Sequence, residues 1–270
     1  MLQSAAASSI SSELRAAWAA WQVMFRERFY LYGRSYALDW MIRPVFDLSI
    51  AALIYAAGNR EYIPYVIVAL AANSLLFRAV YWVGEVLDHE RLRGTLPSLF
   101  LAPCSRYAWM AGYTAAAIGE TLIRIIIMLA AGYILFDVTF DPNVLTLAIV
   151  LPLYLLSLSG LALVLSGIGL IIKRANALSN LVSPILILLG GVYFPVSQLP
   201  DGLRWIARAL PVGYGMEAIS AATIDHAPLG SLASSVLPLV GFAIVSPVIG
   251  ILAFNYLDHL VRSRGEVDLY

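Results

Sequence analysis

The chain has 270 residues, 61% of them hydrophobic and 13% charged, with 17 basic and 17 acidic side chains and zero net charge. A soluble domain carries about a quarter charged residues, so this composition excludes a water-soluble globule, and balanced charge with no basic run argues against a nucleic-acid partner. Spanning helices need about 20 apolar residues each, so six spans leave room for interfacial helices but none for a separate soluble domain.

The N-terminus from Met1 to Ser12 is small and polar, without the pattern of a cleavable signal. Over residues 12–35, Leu14, Trp18, Trp21, Phe25 and Phe29 recur at three- and four-residue steps. Arg15, Gln22, Arg26 and Glu27 fall largely on other faces. Tryptophan on the apolar side of a charged helix predicts an amphipathic helix lying in the membrane interface. Two spans follow, from about Tyr36 to Gly58 and from Ile63 to Val83.

Residues 85–106 read EVLDHERLRGTLPSLFLAPCSR. Asp88, Glu90, Arg91 and Arg93 make a charged start, Gly94 permits a bend, and Leu96, Leu99 and Phe100 form an apolar stripe before Pro103. A short amphipathic helix of this kind suits a groove on a partner. Its simpler alternative is to rest on the inner leaflet. The third to fifth spans are predicted over Tyr107–Phe136, Val144–Ile172 and Ala175–Phe194.

The segment 195–224 is long enough to cross, but it carries Arg204, Arg208, Glu217 and the breakers Pro195, Pro200 and Pro211. Leu203, Ile206, Ala207 and Leu210 form one short stripe, and a second short helix is expected from Gly213 to Ile224. Two pieces too short to span predict a bent re-entrant hairpin entering from the outer face, tolerated only against protein or a wet cavity. The last span runs from about Val236 to Leu257. Residues 1–270 thus read as one all-α integral membrane domain with six spans.

The arginine and lysine distribution sets its orientation. Eleven basic residues precede the first span, lie between the second and third or the fourth and fifth, or follow the last, against three (Arg60, Arg204, Arg208) in the opposite loops. Both termini are therefore expected in the cytoplasm.

The pattern Asp88-x-Glu90-Arg91-x-Arg93-Gly94-Thr95-Leu96, then Leu99, Pro103, Ser105 and Arg106, resembles the cytoplasmic loop of ABC-2-type transporter permeases. Gly191-Val192-Tyr193-Phe194-Pro195, then Leu199-Pro200 and Pro211, is similar to that family's fifth span and outer hairpin. The resemblance implies a non-catalytic exporter subunit in a bacterial cytoplasmic (inner) membrane, paired with a second permease copy, identical or different. It implies two separate ATPase subunits that bind ATP and Mg, leaving no cofactor in this chain. It also implies a coupling helix over 88–101, with Glu90, Arg91, Gly94, Thr95, Leu96, Leu99 and Phe100 meeting the ATPase. Amphipathic, lipid-linked, glycan and drug-like molecules are among the cargo such permeases move.

Charges within the spans need a reason, because each costs about 2.5–3.5 kcal/mol at the bilayer centre on insertion scales. Asp39, Arg43 and Asp47 stack at four-residue steps, as do Glu120 and Arg124, and Arg78 lies towards the inner end of the second span. Self-compensated pairs between helices are the plain explanation; Asp47, Arg78, Glu120 and Arg124 lining a polar route or gate is the functional one. Tyr30, Tyr32, Tyr36 and Trp40 are either interface anchors or a place where a sugar or flat drug stacks.

Other chemistries find little support. Cys104 is the single cysteine, so no internal disulfide forms, and His89, His226 and His259 are far apart. His89-Glu90 opens like a zinc-protease motif, but Arg93 stands where the second histidine belongs. Lys173, the single lysine, follows Ile172 rather than the glycine of a phosphate-binding loop. An ion-gradient-driven secondary transporter is the alternative, but broken helices in matching halves are not seen in this sequence.

Overall fold

The computed structural model describes residues 14–23, 26, 33–92, 94, 106–172, 175–192 and 196–263, and among these the regular structure is helical, with no strand. A helical stretch over 14–23 precedes α1 (Gly33–Ala56), α2 (Ile63–Leu92), α3 (Arg106–Phe136) and α4 (Val144–Ile172). There follow α5 (Ala175–Leu189), α6 (Asp201–Arg208), α7 (Pro211–Ile224) and α8 (Ala233–Ser263).

Short connections make successive long helices antiparallel, and their ends meet accordingly. Tyr55 late in α1 packs its ring on Phe136 at the end of α3, with centroids 5.7 Å apart. Ile67 in α2 lies against Gly132 near the end of α3. The Asn143 amide, just before α4, donates to the carbonyl of Ala222 in α7 at 2.8 Å. The ends of α1, α3 and α7 and the starts of α2, α4 and α8 therefore share one end of the bundle, the Asn143 end.

Four stretches are long and apolar enough to cross a membrane: Arg60–Val80, Met110–Phe136, Val144–Gly169 and Leu229–Val261. These carry the expected second, third, fourth and sixth spans, and they make the protein a multi-pass membrane protein. The expected first and fifth spans yield shorter apolar helices, Pro44–Ala56 and Asn180–Leu189. In α1 the first half is interrupted by Arg34, Asp39 and Arg43. In α5 the helix stops at Leu189, so its 15 residues reach about 22 Å at 1.5 Å per residue, short of the roughly 30 Å hydrocarbon layer.

The early stop has a local cause. Gly191 adopts φ 74°, and the Val192 amide reaches back to the Ile187 carbonyl at 3.4 Å. A left-handed glycine with that six-residue bond is a Schellman termination. It corrects the expectation of one helix running on to Phe194.

α2 departs in the other direction. It continues unbroken to Leu92 instead of ending near Val83, so the Asp88–Leu92 part of the expected coupling helix is the last stretch of α2. The described break comes at Gly94, exposed and at φ 70°.

Packing divides the helices into a pillar and a periphery. Of the spanning windows, α2's is 67% buried within the protein and α8's 11%. α2 therefore forms the centre, with Ile67, Leu70 and Leu75 fully buried. α8 turns Leu237, Ile244 and Leu252 outward, as a helix facing lipid does. α8 lies along α4 at a very close crossing. A Cβ on Gly160 would collide with the Ser246 backbone, and one on Gly250 would lie 2.5 Å from the Gly160 Cα. Ser246 also donates its hydroxyl to the Ser157 carbonyl at 2.5 Å. In lipid, where apolar surfaces gain little by meeting each other, small residues at such crossings supply the packing.

The N-terminal stretch is more than a helix resting on lipid. Ala20 is buried, and a Cβ on Gly112 of α3 would strike the Ala17 backbone, so its small-residue face packs on α3. Leu14 and Trp18 stay exposed, with Trp18 stacked on Trp21 at 4.8 Å. Phe25 and Phe29 of the expected stripe lie outside the described residues.

Candidate functional site

The hairpin between the last two spans resolves into two short helices. Pro200 precedes α6, and Pro211 stands in the first turn of α7, where its missing N–H is no loss. Pro195 lies outside the described residues. α6 attaches through a small apolar cluster of Leu189, Val196, Leu199 and Ala207, while Trp205 is 82% exposed. Arg204 is tied down locally, by Asp201 at 3.2 Å and by the Leu199 carbonyl at 2.7 Å.

α7 is seated deep in the protein. The Tyr154 ring occupies the space where a Cβ of Gly215 would go, and Val212 fills that of Gly190. Tyr154 is ten residues into α4, about 15 Å from its start at 1.5 Å per residue. Ala222 is bonded to Asn143 just before that start. α7 therefore runs from about the middle of α4 up to the Asn143 end, packed on α2, α4 and α8.

Several polar ties among the described residues hold the hairpin. Tyr65 of α2 donates its hydroxyl to the Gly191 carbonyl at 2.5 Å. Ser235 of α8 donates to a carboxylate oxygen of Glu217 at 3.1 Å. At the far end, the Asn143 side chain accepts from the Thr146 amide at 3.1 Å, capping α4, and faces the His226 carbonyl at 3.4 Å. Thr146 donates its hydroxyl to the Ala227 carbonyl, and the His226 ring pairs with Asp141 at 3.0 Å. Asn143→Ala removes the cap, worth about 1 kcal/mol, and one link to residues 226–227. The expected outcome is faster cleavage within residues 137–143 in limited proteolysis, with helical content unchanged.

The intramembrane charges occupy a common band on three contacting helices. Counted from the Asn143 end, Asp47, Arg124, Arg78 and Glu120 lie about 14 to 24 Å deep at 1.5 Å per residue. Arg124 is buried, and Asp47, Arg78 and Glu120 are half-buried. None of the four is without a partner. The four share one band across α1, α2 and α3.

Of the coupling candidates, Glu90 and Arg91 lie in the end of α2 and Gly94 marks the turn beyond it. Thr95, Leu96, Leu99 and Phe100 lie outside the described residues. Sequence reasoning missed Tyr65, Asn143 and Ser235 as ties on the hairpin. Asn143, directly before an apolar run, carried a readable helix-start signal. Tyr65 and Gly191 are 126 residues apart, and no local pattern announces their bond.

No curated protein matches the chain. The model of one family, described as ABC-2 type transporter, matches residues 15–224. That match takes in the N-terminal helix, the first five predicted spans, the cytoplasmic loop and the whole hairpin. With an all-helical multi-pass fold beneath it, the chain belongs to the ABC-2 type transporter family, as a transmembrane permease component.

Proposed function

We propose that this permease is half of an exporter, pairing with a second permease and with two separate ATPase subunits in a bacterial cytoplasmic membrane. Both termini face the cytoplasm, and the Asn143 end faces outward. α1 and α5 complete six crossings, with the hairpin filling the gap above the short α5. The segment 88–101 carries motion from the ATPase, the last stretch of α2 serving as a rigid lever up to Gly94. Cargo is amphipathic, lipid-linked, glycan or drug-like.

The family match over residues 15–224 carries this reading, since permeases of this family normally work with ABC ATPase subunits. It also supports the ATP-driven reading over the ion-gradient alternative. The absence of a phosphate-binding glycine before Lys173 fits an energy source on another chain. The purified chain should hydrolyse no ATP, and robust hydrolysis should appear in its complex with a soluble ATPase subunit. Turnover by the isolated, contaminant-free chain would overturn the proposal.

A further inference from the structure

α7 has 14 residues, and ten of them are buried. The four that are not, Tyr214, Glu217, Ala221 and Ile224, follow at steps of three, four and three. Those steps trace a single stripe along one face of a helix. The buried helix thus shows one open edge, and the centre of that edge is a carboxylate.

Glu217 is the one exposed member of the four. It lies between the level of Gly215, which meets Tyr154 deep beside α4, and the level of Ala222 at the Asn143 end. A carboxylate facing hydrocarbon at that depth is costly and rare; such groups face the bundle interior or a water-filled cavity. Its orientation is set rather than free, because Ser235, itself buried, donates to one of its oxygens. Among the described residues no lysine, arginine or histidine forms a salt bridge with it. Neither α7 nor the first turns of α2 and α8 contain a basic residue. Two aromatic rings border the site: Tyr214, held against Phe242 at 6.2 Å, and Tyr65, within electrostatic reach of the carboxylate. A carboxylate with no cationic partner among the described residues, with Tyr214 one turn away on the same stripe, is chemistry suited to an organic cation.

We propose that the open stripe of α7 is a water-facing wall of the outer half of the translocation pathway, where Glu217 receives an ammonium group of the transported molecule. This rests on the exporter reading and narrows its cargo to molecules carrying a positive charge. Ser235 acts as a positioning residue, fixing the carboxylate towards the opening.

The test uses the whole permease–ATPase complex in sealed membranes and needs no knowledge of the cargo. Cys104 is the single native cysteine, so Cys104→Ser supplies a thiol-free background. Ala221→Cys places a thiol one turn from Glu217, and Ile224→Cys serves as the second position should Ala221→Cys assemble poorly. Leu237→Cys on the outward face of α8, 77% exposed, is the lipid-facing control. Each is treated from outside with trimethylammonium-ethyl and with sulfonato-ethyl methanethiosulfonate, and the rates are divided by those for a free thiol. The expected result is reaction at Ala221→Cys and none at Leu237→Cys. The normalised cation-to-anion ratio should be about tenfold or more, returning near one on adding Glu217→Gln. Silence of both α7 positions would mean the stripe is covered by lipid or the second permease, and would overturn the proposal. Reaction without charge preference would overturn the cation site. In either case an ATPase that still co-purifies leaves the exporter reading standing, whereas its failure to bind the unaltered permease removes that reading.

Discussion

Gly160→Leu should leave little folded protein in the membrane. The α4–α8 crossing brings two backbones together with Gly160, Ser246 and Gly250 at the contact, and a Cβ at Gly160 already collides with the backbone of Ser246. A leucine adds four carbons where one does not fit, so the helices must separate along the contact. Overpacking a close-packed site commonly costs about 1–3 kcal/mol. The cost here belongs at the upper end, since the obstacle is backbone rather than a flexible side chain. Separation also breaks the Ser246–Ser157 hydrogen bond, exposing a polar group to lipid. α8 makes its main contact with α4, and its remaining hold is on α7. The expected measurement is a severalfold loss of monodisperse protein on size exclusion in mild detergent. Gly241→Leu on α8, where nothing lies within 4 Å of an added Cβ, should behave like the parent. Equal yields from the two variants would refute the close crossing.

Leu99→Glu should release the ATPase subunit without unfolding the permease. Leu96 and Leu99 lie about one turn apart and Phe100 four residues after Leu96, so on a helix they share one face. If that face docks into the ATPase, placing a carboxylate there removes a central apolar anchor, which at a hot spot costs about 2 kcal/mol or more. Affinity then falls by more than about tenfold, and ATP-driven transport falls with it. The check is co-purification of the ATPase with the variant at parental expression. Undiminished complex and undiminished transport would assign the segment to the inner leaflet instead.

Much of the architecture was readable because membrane insertion imposes simple length and polarity rules. The span Val144–Ile172 coincides with α4, and Tyr107–Phe136 differs from α3 by one residue. Both are long, predominantly apolar and bounded by charged or turn-forming residues, so no tertiary contact was needed to mark their ends. Two short helices were expected in the segment 195–224, the second from Gly213; the structure begins it at Pro211, since proline is accepted in a helix's first turn. The fifth span was misread because its apolar run continues past the glycine that ends it. Hydropathy does not register a left-handed backbone, although Gly190-Gly191 after a periodic run is a stop signal. The second span was cut too early, because charges at Glu85 and Asp88 end a hydrophobic run without ending a helix.

Composition and hydropathy by themselves determined a helical membrane protein, since those properties follow from residue content and local order, and the loop motifs carried its resemblance to permeases. Only the tertiary structure decided which surfaces are used. It made α2 the central pillar and α8 the outer flank, put Gly160 against α8, and seated α7 on Tyr154 with a single open edge at Glu217. Such choices depend on contacts between residues tens to more than a hundred positions apart, as in the bond from Tyr65 to Gly191. Where long stretches of a helix are apolar all round, as in α4, periodicity does not mark which face meets protein and which meets lipid. Shape complementarity between backbones makes that decision, and it exists only once the helices are assembled.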